Sequence, residues 1–392
     1  MKLIQTRGVS ILLLALFGGL YLCASQTPNP NRAPEPFEKV AAQAQAAMDA
    51  ERIPEAIRLY GRATKLQPDW PEGWWHLGTL LFDTGQFREA RDAFAQFTLV
   101  EHKQAGPGFA MLGLSEFQLK RYPQALAALE RGIERGLGNN PTFLRNVLYR
   151  DGTLHSLLGH PEVAVVRLTL AANNVAAAHP EAPKDAVFAD AELLEALGIA
   201  VLRLAKLPTD VSAAEAPVIR EAGHAQALIA LRDEPAVADL ELREMLARYP
   251  NQPGLHYFYG VFLLKEDPTR ALVEFRREIE ISPTHAAAHI QLALELLHTA
   301  DYEEGLKYAT KAVALAPKDF VARVAYGRIL LELGKTDHAI QELRIAIQMA
   351  PGSPDAHFAL SRALDRAGKK QEAMRERAKF MQLRTLADAA KK

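Results

Sequence analysis

A run of 34 residues, FVARVAYGRILLELGKTDHAIQELRIAIQMAPGS from Phe320 to Ser353, recurs in outline along most of this chain, and such a recurrence leaves few folds open. Within it Val324, Ile329, Leu330, Leu331 and Leu333 fall at helical rather than alternating spacing, so Val321 to Leu333 predicts a first helix. Gly334 supplies the stop that a helix C-terminus favours, and Lys335 adds positive charge beside the negative end of the dipole. A second helix starts near Asp337 and brings Ala339, Leu343 and Ala346 onto one face before Pro351 ends it. Small residues there have a steric reason: two helices joined by a tight turn approach closely only where one presents glycine or alanine to the other.

The same template starts again at Phe37, with Ala56, Tyr60, Ala63 and Pro68, and at Pro71, with Trp74, Leu77, Gly78, Gly85, Ala90 and Phe94. A third unit from about Gly106 keeps Leu112-Gly113, Tyr122, Ala125 and Leu129 but lacks the closing proline. A fourth carries Gly152, Gly159, Ala164, Leu168 and Ala171, its first helix beginning after Pro141. Phase is then lost. Two proline-containing loops flank a helical run from Val187 to Ala205, which reads as an irregular junction over 179–218. Repeats resume near Ile219 and run through units at Pro253, one residue short, at Ala286, at Phe320 and at Pro354. The expected organisation is an export signal over 1–25, a proline-rich linker over 26–36, about four repeats over 37–178, the junction, about five repeats over 219–387 and a basic tail at 388–392.

This pattern resembles the tetratricopeptide repeat, whose signature is W-x2-L-G-x2-Y followed by alanine, an aromatic, alanine and proline; WWHLGTLL from Trp74 to Leu81 matches it best. The resemblance implies an all-α fold, a right-handed superhelical solenoid of antiparallel helix pairs. It further implies that first helices line a concave groove through set places of each repeat. Carried onto this sequence, those places hold Trp75, Phe82 and Phe117 in the first block. In the second they hold Tyr257, Leu264, Ile290, Leu294, Leu297, Val324, Leu331 and Phe358, flanked by Arg328, Glu332, Arg362 and Arg366. Exposed rings can anchor a peptide and arginines can pair with its carboxylates, whereas the aliphatics can equally cement one first helix to the next. The lysine and asparagine clamp of the co-chaperone subgroup is missing, its first places falling on Ala41 and Gln45.

Lysine plus arginine is 46 against 47 for aspartate plus glutamate, so the chain offers no field for nucleic acid. Lys2 and Arg7, the apolar stretch from Val9 to Leu22 and the small residues Ala24-Ser25 read as an export signal cleaved after Ser25. The expected location is therefore periplasmic or extracellular. Cys23 is the single cysteine, preceded by Tyr21 and Leu22 where a lipoprotein signal favours small residues, so membrane contact is expected only if Cys23 is lipidated or the signal is kept.

No catalytic constellation emerges. His285 and His289 have the spacing of helical zinc ligands, but no third ligand stands out; rings packing with one polar edge are the blander account, and no cofactor is expected. Gly334-Lys335-Thr336 lacks the earlier glycine of a phosphate loop, and Gly113-Leu114-Ser115-Glu116-Phe117 lacks the last glycine of a nucleophile elbow. Asp151, His155 and Ser156 sit within one or two helical turns, which does not give a triad its geometry. The leading expectation is a non-enzymatic scaffold that holds a peptide or protein partner in its groove, with no small-molecule substrate. The alternatives are an assembly or oligomerisation factor acting through the convex side or through 178–217, and a metal-dependent enzyme.

Overall fold

Paired helical periodicities joined by glycine become, in the computed structural model, nineteen α-helices with no strand among the described residues. The structure describes residues 36–178, 188 and 190–389. The expected export signal, Cys23 and the linker through residue 35 lie outside them, as do residues 390–392 of the basic tail. The chain divides into two compact units, the first ending at Glu241 and the second starting at Leu242.

The first unit holds α1 (Pro36–Asp49), α2 (Ile53–Leu66), α3 (Pro71–Asp83), α4 (Phe87–Val100), α5 (Gly106–Gln118), α6 (Tyr122–Arg135), α7 (Pro141–Leu157), α8 (Pro161–Ala178), α9 (Ala191–Val201) and α10 (Ala216–Ala227). The division falls inside α11 (Pro235–Arg248). The second unit continues with α12 (Leu255–Leu263), α13 (Pro268–Ile281), α14 (Ala286–His298), α15 (Tyr302–Leu315), α16 (Phe320–Glu332), α17 (Thr336–Met349), α18 (Pro354–Arg366) and α19 (Lys370–Ala389). Most consecutive helices pack on one another within each unit, which makes each an all-α solenoid.

Close approach inside a pair comes from the glycine of the first helix. A Cβ on Gly327 would lie 2.7 Å from Leu343 Cγ, and one on Gly78 2.7 Å from the Phe94 ring, so a larger residue at either place would push the pair apart. Ala339, Leu343 and Ala346 are fully buried, as their spacing on one face requires. At Gly334 the chain turns with φ +74°, a conformation that suits glycine and ends α16.

A second regularity ties five of the repeats to the one before. In these five the residue at the fourth place of the repeat donates an N–H to the carbonyl oxygen of a proline six residues earlier. Trp74 reaches Pro68 at 2.8 Å, His256 reaches Pro250 at 3.2 Å, His289 reaches Pro283 at 3.1 Å, Arg323 reaches Pro317 at 2.9 Å and His357 reaches Pro351 at 3.1 Å. A carbonyl can only accept, so each of these histidines must carry a proton on Nε2. Three of these residues also pair with a carboxylate of the following helix: His256 with Glu274 and His357 with Glu376 at 2.6 Å, and Arg323 with Glu342 at 2.5 Å.

Within the segment expected to separate two repeat blocks, one helix packs into the first unit. This helix, α9, starts after Asp190, which caps it through the Leu193 N–H at 3.1 Å, and ends before the anticipated Ala205, the chain turning at Arg203 with φ +56°. Leu193, Leu194 and Leu197 are buried in a core shared with Leu148 and Tyr149 of α7 and Leu168 of α8, which makes α9 part of the first unit. The chain then passes through a short 3-10 turn, Pro208–Asp210, before α10.

Candidate functional site

In the second unit, the last turns of α16 and the length of α18 bring together five of the expected groove residues, Leu331 among them. Arg328, Glu332, Phe358 and Arg362 line a cavity of about 290 Å³ with Leu331, Asp355 and Ala359. Phe358 is 44 % exposed, its ring 5.1 Å from that of Phe380 on α19. Glu332 accepts from Arg362 at 3.0 Å and from Arg366 at 2.8 Å, and Arg366 also donates to the Leu331 carbonyl. Burial works to raise the Glu332 carboxyl, but the hydrogen bonds and charges of Arg366 and Arg362 outweigh it and hold the group below the usual carboxylate range. Arg328 and Asp355, by contrast, have no ion-pair or hydrogen-bond partner for their side chains among the described residues.

Other expected groove residues are placed differently. Tyr257 is 8 % exposed and packs 5.8 Å from Phe275 and 4.7 Å from His285, so it belongs to the core rather than to a binding surface. Trp75 is fully buried against Phe94 and Phe97, at 5.7 and 5.4 Å. In both cases large rings on the following helix draw the first-helix ring inward, where burial of its area is worth more than exposure. Phe82 and Phe117 remain half-buried, each paired with the first ring of the next helix, Phe87 at 5.3 Å and Tyr122 at 5.7 Å. Leu264 is half-buried just past the end of α12.

The histidines with metal-ligand spacing have other work. His285 Nδ1 accepts the Ala288 N–H at 3.1 Å and caps α14, while His289 Nε2 is spent on the Pro283 carbonyl. No group of three metal-ligating side chains forms among the described residues. The charged group that sequence spacing could not resolve is a buried one. Asp151 on α7 is fully buried, with Arg167 Nε of α8 at 3.0 Å and His155 Nε2 at 3.6 Å; His155 Nε2 also faces Glu130 of α6 at 3.4 Å. Ser156 is buried as well, but no hydrogen bond links its hydroxyl to His155, so these residues make an ion-pair cluster and not a relay.

Comparison with known proteins adds the family of the two regular stretches. Residues 41–108, 290–354 and 324–378 match the tetratricopeptide repeat family. These stretches are tetratricopeptide repeats. A tetratricopeptide protein of Mycosarcoma maydis, the small glutamine-rich tetratricopeptide repeat-containing protein 2, is 30 % identical over 97 residues, 25 % of this chain and 27 % of that protein. The chain thus spans about a quarter of the length of that curated relative. Among solved structures, MamA 41-end from Desulfovibrio magneticus RS-1 is 24 % identical and covers 43 % of this chain and 95 % of its own, with a TM-score of 0.39; a MamA RS-1 double mutant gives 24 %, 43 %, 95 % and 0.40.

The repeat assignment accounts for the fourth-place donors, since Trp74 occupies the signature tryptophan and the histidines and Arg323 substitute for it with the same hydrogen bond. It does not account for Arg150 of α7, whose guanidinium lies 4.9 Å over the Phe117 ring and 5.3 Å over that of Tyr149. Sequence reasoning missed this residue because its repeat is degenerate and its partner Phe117 stands one unit earlier.

Proposed function

We propose that this protein is a non-enzymatic scaffold whose first-helix face in the second unit holds a peptide or a helix of a partner protein. One observation carries the reading: a half-exposed phenylalanine, Phe358, shares a cavity with Arg328, a cation that has no ion-pair or hydrogen-bond partner for its side chain among the described residues. An aromatic anchor beside an unpaired guanidinium suits an apolar side chain flanked by a carboxylate. The repeats themselves favour the same class, since stacked helix pairs present long surfaces rather than enclosed reaction sites. Export from the cytoplasm is part of the proposal and rests on the composition of residues 1–25.

A photo-crosslinking amino acid at Phe358, activated in the native cell, tests the groove directly. Capture of a defined partner that is lost on Arg328→Glu with an unchanged melting curve is expected. Capture indifferent to Arg328 counts against this face. A second reading, assembly through an outer surface, is favoured by the exposed Val163, Val166 and Leu170, which fall at i, i+3 and i+7 along α8. Light scattering of Val166→Glu compared with the parent chain separates the two: a change in particle mass supports assembly.

A further inference from the structure

A second cavity, of about 460 Å³, lies in the first unit and is only partly built from repeat residues. Phe117 and Lys120 enter it from the end of α5 and the turn after it, Tyr149 and Arg150 from α7, Glu192 from α9, and Pro208 from the 3-10 turn. The two ring faces under Arg150 hold its guanidinium in place without neutralising it, which leaves its hydrogen-bonding edge preformed for a planar anion. Arg150, Lys120 and Glu192 have no ion-pair partner among the described residues. Burial pushes the Tyr149 hydroxyl up to about 12, so it stays protonated and adds no charge of its own.

The wall contributed by the non-repeat segment is tied down. Asp210 accepts the Leu207 N–H at 3.3 Å, and Glu215 accepts from Lys206 at 2.7 Å and from the Ser212 hydroxyl at 2.8 Å. A cavity of this size with a fixed wall, apolar rings and convergent charges has the makeup of a ligand site.

We propose that this cavity binds an amphoteric peptide segment, with a carboxylate on Arg150 and Lys120, an apolar side chain against Phe117 and Pro208, and a basic group toward Glu192. The inference rests on the reading that first-helix faces bind peptide and extends it to residues outside the repeats. Charge sets the choice of ligand. Glu195, the fourth charge of the lining, is already paired with Arg220. A wholly acidic segment would bring negative charge against Glu192, a wholly basic one would oppose Arg150 and Lys120, and a neutral one would desolvate these three without repaying them.

Fluorescence anisotropy on the full chain, at low salt, tests the site with flexible labelled peptides carrying Glu-Phe-Lys or the reverse order at their centre, and Gln-Phe-Gln and Glu-Phe-Glu as controls. At least one amphoteric order should bind about tenfold more tightly than Gln-Phe-Gln. Arg150→Gln with Lys120→Gln should remove that preference with the melting curve unchanged, and Glu192→Lys should move it toward Glu-Phe-Glu. Equal binding of all four peptides, or a preference that survives the double substitution, overturns the site. If the preference survives there but is lost in Arg328→Glu, the groove of the second unit stands and this cavity does not.

Discussion

The Nε2–H of His289 donates to the Pro283 carbonyl at 3.1 Å, and the ring lies 6.0 Å from Tyr308 at the place where the units of His256 and His357 put a glutamate. One side chain thereby stitches the end of one repeat to the start of the next. His357→Phe tests this stitch, because it keeps a ring while leaving the Pro351 carbonyl without its donor and removing the ring nitrogen that faces Glu376. A loss of about 1–3 kcal/mol is expected from urea unfolding followed by circular dichroism. An unchanged midpoint would mean that the hydrogen bond contributes nothing to the stack.

Packing inside the pair predicts a steric cost. Gly327→Ala places a Cβ 2.7 Å from Leu343 Cγ, and Ala339→Leu inserts three carbons at a fully buried position. Each should destabilise by about 1–3 kcal/mol through overpacking. Adding Leu343→Ala to Gly327→Ala should cost less than the sum of the two, since the methyl then fills space that the leucine leaves. Strict additivity would place the two residues out of contact.

Stability of the first unit should fall in mild acid. Burial lowers the His76 imidazole from 6.5 to about 4, against the opposing charge of Asp49, so the folded ring resists a proton that the unfolded chain accepts. The contribution is complete above about pH 6.5 and is lost as pH falls toward 4; between pH 7.5 and 5 it amounts to about 2 kcal/mol. Burial, with His160 and Arg167, lowers His155 to about 4 in the same sense, whereas burial raises Asp151 to about 7 against the pull of Arg167. A raised carboxyl gives the opposite slope, stabilising at low pH and losing that as pH rises from about 4 to 7, so Asp151 and His155 nearly cancel. His76→Gln should therefore flatten the profile and Asp151→Asn steepen it. All three tryptophans, Trp70, Trp74 and Trp75, lie in the first unit, so their fluorescence reads it alone.

In the second unit, Glu332 neutralises two of the three groove arginines. Glu332→Gln should strengthen binding of an acidic peptide about tenfold, in a salt-dependent manner, by releasing Arg362 and Arg366. Stability should change by no more than about 1 kcal/mol per pair, because both arginines are partly exposed. Weaker binding would assign Glu332 itself to the ligand.

The helix pairs were legible because their determinants are local and repeated. Gly327 against Leu343 and Gly334 at the turn are spacing rules that any copy of the unit obeys. The groove was legible in part. Arg328, Glu332, Phe358 and Arg362 line one cavity, while Trp75 and Tyr257 are buried in the core, because Phe94, Phe97 and Phe275 of the following helices decide which way a first-helix ring turns. The cavity around Arg150 was not legible, since its walls combine a degenerate repeat with Glu192 and Pro208 from a stretch that follows no template.

By itself the sequence determined that this chain is a stack of helical pairs, for a pattern of small and large residues repeated every 34 positions can bury its faces in no other common way. Tertiary structure alone decided which side chains stay available for a partner. Exposure and charge pairing depend on neighbours one or two helices away: two arginines are spent on Glu332, while Arg328 and Arg150 have no ion-pair partner among the described residues.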